Sequence, residues 1–189
     1  LDEFINRRGA DLLSEMDIDF NYSKPVNLIK YLIQITNKPN NIVVLDFFAG
    51  SGTTGHAVLE INSEDGGKRQ FILCTNNEDN NGNGLKIASD ICYPRVKKAI
   101  RGYKSIKGEN VAGFGGNLKY YICDFVEAEP TDRNKRKLVS ESTEMLCIRE
   151  NAFELVQDEG DFKIFKNSNK YLGIVFYEEA VDDYKAAIR

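Results

Sequence analysis

The spacing of apolar residues changes several times along the chain, and each change predicts an element. In KPVNLIKYLIQIT (24–36), Val26, Ile29, Leu32 and Ile33 recur at helical spacing. Pro25 suits the first turn of that helix, where its missing N–H costs nothing. NKPNN (37–41) then breaks the pattern as a turn. NIVVLDFF (41–48) is a continuous β-branched and aromatic run, which predicts a strand buried on both faces of a parallel sheet. After a glycine-rich turn, TTGHAVLEIN (53–62) reads as a helix, EDGGK (64–68) as a turn and RQFILCTN (69–76) as a second buried strand. Strand, glycine turn, helix and strand in about 35 residues make a βαβ unit. The segment before it, with DLLSEMDIDFNY (11–22), has apolar content but no clear period.

Downstream, NNEDNNGNG (76–84) is a polar loop, followed by a helical stretch interrupted before Pro94 and resumed in VKKAIRGY (96–103). GENVAGFGGN (108–117) predicts a long glycine-rich loop and LKYYICDFV (118–126) a strand. DRNKRKLVSESTEMLCIRENAFE (132–154) predicts a helix with a basic entry, packed through Leu138, Met145, Leu146 and Ile148. FKIF (162–165) and KYLGIVFYEE (170–179) flank a polar turn as a β-hairpin. The expected organisation is α/β: a partial Rossmann-like part over 1–105 and a small α+β appendage over 106–189. The chain starts at Leu1 without a methionine and stops in DDYKAAIR, which reads as the opening of a helix, so a piece of a longer protein is expected.

A chain of 189 residues suits one sizeable core with an appendage. Its net charge of −4 argues against a duplex-DNA reader, which draws much of its affinity from neutralising phosphates. The cysteines, Cys74, Cys92, Cys123 and Cys147, are scattered and form no CxxC pair, and His56 is the only histidine. That argues against zinc and for reduced residues, with Cys74 and Cys123 expected in the core. No signal peptide or long apolar run is visible, so a soluble cytoplasmic protein with no membrane partner is expected.

The candidate chemistry lies in LDFFAGSGTTGHAV (45–58). Gly50 to Gly55 has the glycine spacing of a phosphate-binding P-loop. His56 and Ala57 stand where that loop needs Lys and Ser/Thr, so nucleotide hydrolysis is disfavoured. Gly50, Gly52 and Gly55 also match G-x-G-x-x-G, and Glu78 and Asp79 after the second strand could hold ribose hydroxyls. An NAD-type domain therefore stays open at this point.

The flanking residues add a third reading. Lys24-Pro25, the apolar helix, Asp46-Phe47-Phe48-Ala49-Gly50-Ser51-Gly52-Thr53-Thr54, and Phe71-Ile72-Leu73 running to Asn76-Asn77-Glu78 stand in one order. In that order the chain resembles the amino-group DNA methyltransferases with circularly permuted motifs, closest to the modification (Mod) subunits of type III restriction-modification systems. GFGGNLKYY and EMLCIRENAFE downstream are similar to the tail of those subunits. The resemblance implies a cofactor, S-adenosylmethionine, which carries a carboxylate and no phosphate and so needs no lysine in the loop. It implies that backbone N–H groups of the loop through Ala49, Gly50, Ser51 and Gly52, with the hydroxyls of Thr53 and Thr54, serve that carboxylate. It places Phe48 beside the cofactor, Asn76 or Glu78 on the ribose, and Ser23, Lys24 and Pro25 at the methionine end. Asp46 could cap the loop, but strand C-termini face the ligand in this fold, so it is expected to serve the cofactor site.

In that family the transfer chemistry sits in a [DNS]-P-P-[YFW] motif, whose aromatic stacks on a flipped base. This sequence has no Pro-Pro pair. In the permuted order that motif and the DNA-reading region come upstream. The chain is therefore expected to be the cofactor-binding portion of an adenine methyltransferase, inactive alone, reaching DNA through the other half, with a Res-type restriction subunit and self-association as further partners. Two alternatives remain: a non-catalytic cofactor-binding remnant or partner-binding subunit, and the NAD-type domain.

Overall fold

The βαβ unit is formed as the pattern predicts, but with one face of its sheet uncovered. A computed structural model describes residues 4–79, 82 and 84–188; Asn80, Asn81 and Asn83 of the predicted polar loop lie outside the described residues. Strand β1 (Val43–Asp46) pairs parallel with β2 (Gln70–Leu73), with Val43 opposite Gln70 and Asp46 opposite Leu73. Between them runs helix α3 (Thr53–Asp65). The helix starts after Gly52 and stops at Gly66, both in the left-handed conformation that glycine adopts readily. It buries Thr53 to Leu59 and Ile61.

The strands correct the expectation of burial on both faces. Val44, Phe71 and Leu73 turn inward, while Val43, Leu45 and Ile72 are exposed. Successive side chains of a strand point to opposite faces. Phe71 and Leu73 pack against the cluster of Leu59, Val96 and Ala99. Cys74 is exposed for the same reason of one-sided cover, and Cys123 is exposed outside any strand, so neither is core.

Two helices precede the unit. The segment without a clear period forms α1 (Asn6–Glu15), which buries Leu13. Leu13, Met16 and Ile18 pack with Ile87 and Ile91, so the pattern straddles a helix and its exit and shows no single period. Helix α2 (Val26–Ile35) follows, with Pro25 at its N-cap. Val26 is buried, Ile29 and Ile33 are half-buried, and Leu32 is exposed against expectation. Lys30 of α2 pairs with Glu60 (2.7 Å) and Glu64 of α3.

After β2, a π-helical stretch (Ile87–Cys92) runs directly into α4 (Tyr93–Arg101), with Pro94 in the first turn. The predicted glycine-rich loop contains structure instead. Strand β3 (Gly102–Lys104) pairs antiparallel with β4 (Asn110–Ala112) in a short hairpin. The predicted strand at 118–126 does not form; the segment joins no sheet among the described residues, and Phe125 is 92% exposed.

The chain divides into two units, the first ending at Tyr121 and the second starting at Ile122, later than the break expected near residue 105. The reason is local: Phe114 and Leu118, beyond the hairpin, pack on the Leu59–Val96–Ala99 cluster of the first unit. The second unit holds α5 (Asp132–Glu150), an antiparallel sheet of β5 (Glu154–Asp158), β6 (Phe162–Lys166) and β7 (Tyr171–Val175), and α6 (Val181–Ala187). The hairpin is as predicted, whereas β5 adds a strand where a helix end was expected. In α5 the buried residues are Thr143 and Cys147; Leu138, Met145 and Ile148 are exposed, and of the predicted packing residues only Leu146 joins the core around Cys147, Ala152, Phe165 and Ile174.

Candidate functional site: the glycine turn and a buried arginine

The turn between β1 and α3 is held at both ends by its own chemistry. The Cys74 N–H donates to the Asp46 carbonyl (2.8 Å) and the Ala49 N–H to the Cys74 carbonyl (3.1 Å), so the turn continues the parallel ladder past β2. The Asp46 carboxylate accepts from the Phe48 N–H (3.0 Å) and from the Thr54 hydroxyl (2.5 Å). Asp46 thus caps the turn. Gly52 has φ +79°, and a Cβ there would lie 2.9 Å from Cys92 Sγ. The position excludes a side chain both by conformation and by space.

Several predicted residues converge here. Ser23, Pro25, Ala49, Ser51, Thr53 and Thr54 are buried, and the hydroxyls of Ser23, Ser51 and Thr53 meet in one cluster. The Ser51 hydroxyl donates to Ser23 Oγ (3.0 Å), and the Ser23 hydroxyl to the Lys24 carbonyl (3.2 Å). The Lys24 side chain is exposed; its carbonyl is what reaches the cluster, accepting also from Thr53 (3.4 Å). Phe47 and Phe48 are exposed, Phe48 to 93%. Asn76 and Glu78 are also exposed, with Asn76 Nδ2 donating to Glu78 Oε2 (3.2 Å).

At the centre of the hydroxyl cluster stands a residue that the sequence analysis did not single out. Arg95, from the first turn of α4, is 0% exposed. Its Nη1 lies 2.9 Å from Ser23 Oγ, 2.9 Å from Ser51 Oγ and 2.8 Å from Thr53 Oγ1, and shares its protons among them. Its Nε donates to His56 Nδ1 at 3.5 Å, and Nη2 finds no hydrogen-bond partner among the described residues. One signal was available: Ile91, Arg95 and Ala99 recur at four-residue spacing, which sets the arginine inside a buried stripe.

Burial dominates the proton affinities around this point. Desolvation lowers the Arg95 guanidinium to about 10, so it stays charged at neutral pH. Burial, then the nearby charges of Arg95 and Lys30, lower the His56 imidazole to about 3, leaving it neutral. Burial raises the Cys92 thiol to about 11, so no thiolate forms there at neutral pH. Among the described residues no cluster of His, Cys, Asp and Glu could hold a metal, and no helix is long and apolar enough to cross a membrane.

Gly9 of α1 fixes where the Lys24-Pro25 segment can run. A Cβ there would lie 2.3 Å from the Ser23 carbonyl oxygen and 2.6 Å from that of Lys24, so α1 contacts that backbone directly.

Known proteins match the segment that holds this turn. A family model described as DNA methylase matches residues 10–80. The Mod subunit of the type III restriction-modification enzyme StyLTI of Salmonella typhimurium is 52% identical over 72 residues, covering 37% of this chain and 11% of that protein. The EcoPI Mod subunit of Escherichia phage P1 is 36% identical over 141 residues, covering 70% of this chain and 20% of that protein. The type II methyltransferase M.KpnI of Klebsiella pneumoniae is 35% identical over 98 residues, covering 49% of this chain and 23% of its own length. The chain thus spans a small part of the relatives it matches. The matched segment contains the end of α1, the Lys24-Pro25 segment, the glycine turn and β2 together, so residues 10–80 are similar to the DNA methylase family and, among its members, to Mod subunits.

Proposed function

We propose that the first unit is the S-adenosylmethionine-binding portion of a DNA methyltransferase of a restriction-modification system, acting on the exocyclic amine of adenine. The observation that carries this reading is the open N-terminus of α3. Its first turn has no side-chain cap, and it sits beside a buried cation with an unsatisfied donor. Uncapped N–H groups at a helix start favour an anionic group. The donor set suits a carboxylate on a Rossmann-like βαβ unit, and the glycine turn leaves backbone accessible.

In this reading Ser51, Gly52, Thr53 and Thr54 hold the amino-acid end, with Ser23 and the Lys24-Pro25 segment closing it. Asp46 fixes the turn, Ala49 and Gly50 line it, and the exposed Phe47 and Phe48 flank the adenosine. Asn76 and Glu78, at the end of β2, accept from ribose hydroxyls. The cofactor, when bound, supplies an electrophilic methyl group on a sulfonium. The proline motif that would hold the target amine, and the DNA-reading surface, belong to a further part of a longer protein, as does contact with a restriction subunit or a second copy. The chain by itself binds cofactor without methylating DNA.

Calorimetric titration with S-adenosylmethionine and, separately, NAD tests this. Saturable binding of the first and none of the second is the expected result. NAD binding would replace the reading with a dinucleotide domain, and silence from both would remove the cofactor site from this chain.

A further inference from the structure

Arg95 lacks the partner that a buried cation ordinarily has. Of the partly buried cations of the first unit, Lys30 faces Glu60 and Arg69 faces Asp65 (2.8 Å), while Lys98 donates to the Met16 carbonyl and Lys97 lies over the Tyr93 ring. Among the described residues no carboxylate stands against Arg95. A charge removed from water without a counter-charge is costly, and such groups are normally paired. What surrounds Arg95 is a shell of neutral dipoles. The hydroxyls of Ser23, Ser51 and Thr53 each turn a lone pair to Nη1, while the proton runs from Ser51 to Ser23 and on to the Lys24 carbonyl, and from Thr53 to that same carbonyl. The imidazole beside Nε is neutral. These dipoles solvate the guanidinium but do not cancel its charge, and Nη2 remains without an acceptor.

The uncancelled charge sits against a helix terminus of the same sign. Ser51 and Thr53, the residues that Nη1 contacts, bracket Gly52 at the uncapped start of α3. Helix dipole and guanidinium therefore raise one positive potential at the glycine turn. The loop has no lysine at the P-loop position, so the charge such loops place inside themselves comes here from a helix distant in sequence.

Resting on the reading of this turn as the cofactor site, we propose that Arg95 is the counter-charge for the amino-acid carboxylate of the bound cofactor, presented through Ser51 and Thr53. A sugar hydroxyl or an adenine ring gains little from such a potential; a carboxylate gains much, because a hydrogen bond with an ionised partner is about twice as strong as a neutral one. Arg95 thus selects ligands carrying that carboxylate over the same nucleoside without it.

The test is calorimetry of the chain with S-adenosylhomocysteine and with 5′-methylthioadenosine, which share the nucleoside and thioether and differ in the amino-acid end. The protein is compared with Arg95→Met and Arg95→Lys, each checked for a cooperative melt. Arg95→Met should weaken S-adenosylhomocysteine by about tenfold or more, the scale of one charge-assisted interaction, and leave methylthioadenosine within about twofold. Arg95→Lys should recover most of the loss. Equal weakening of both ligands, or of neither, overturns the proposal and leaves the cofactor reading standing. Failure of the unaltered chain to bind either ligand overturns the cofactor reading itself. Where Arg95→Met does not fold, the unaltered chain is titrated with the decarboxylated analogue of S-adenosylmethionine. Binding at least about tenfold weaker than S-adenosylmethionine supports the proposal, and equal affinity overturns it.

Discussion

Helices α3 and α5 show how differently two helices of similar regularity are used. The shorter, α3, buries eight residues, including Thr53, Thr54 and His56. The longer, α5, buries two, Thr143 and Cys147. Helix α3 has no side-chain cap at its start, whereas α5 is capped by Thr131, whose hydroxyl accepts from the Asn134 N–H (3.2 Å). The α5 terminus satisfies itself. The α3 terminus has no side-chain cap and stands beside Nη2 of Arg95, unpaired among the described residues, and that neighbouring buried cation is what sets it apart as a candidate site.

The contrast sharpens under substitution. Ile61 of α3 is fully buried, and Ile61→Ala should cost about 3 kcal/mol in denaturant unfolding. Met145→Ala on α5 should stay within about 0.5 kcal/mol, because that side chain is mostly in solvent. Equal costs would break the comparison. Gly9→Ala should cost about 2 kcal/mol through overlap with the Ser23 and Lys24 carbonyls, and should weaken cofactor binding together with stability. An alanine variant that melts normally and binds normally would show that the α1 contact is dispensable.

His56 gives a pH signature to the α3 side. Its proton affinity is lowered from 6.5 to about 3 in the folded chain. Between these values the unfolded chain binds the proton and the folded one does not, so stability is complete above pH 6.5 and falls as pH drops below it. The slope from this group is about 1.4 kcal/mol per pH unit, or about 2 kcal/mol between pH 6.5 and 5. Urea unfolding of the protein and of His56→Gln at both pH values should show the loss only where the histidine is present. The smallest expected effect is on α5: Thr131→Ala should cost about 1 kcal/mol, read as loss of helical signal from the second unit.

Much of the βαβ unit was legible because its signals are local. A β-branched run, glycines with positive φ at both ends of α3, and an apolar helix after Pro25 each act within a few residues. The second unit was less legible. In α5 the apolar residues Leu138, Met145 and Ile148 look like a packing face, yet the helix meets its sheet along a narrow line through Leu146 and Cys147. Segment 118–126 had the right composition but joins no sheet among the described residues, and a strand without a ladder has no backbone reason to persist. The β3–β4 hairpin was hidden by its glycines, which read as loop although Gly102 begins β3 with φ +81°.

The amino-acid sequence alone determined the order of strand, glycine turn, helix and strand, the Lys24-Pro25 segment ahead of it, and the likeness to Mod subunits. These rest on backbone preferences and motifs that act over short stretches. Only the tertiary structure decided that Arg95 lies beneath the turn, 44 residues from Ser51 and 72 from Ser23, and that one face of β1 and β2 stays open. Burial and charge pairing depend on which distant segments pack together, and no local pattern carries that.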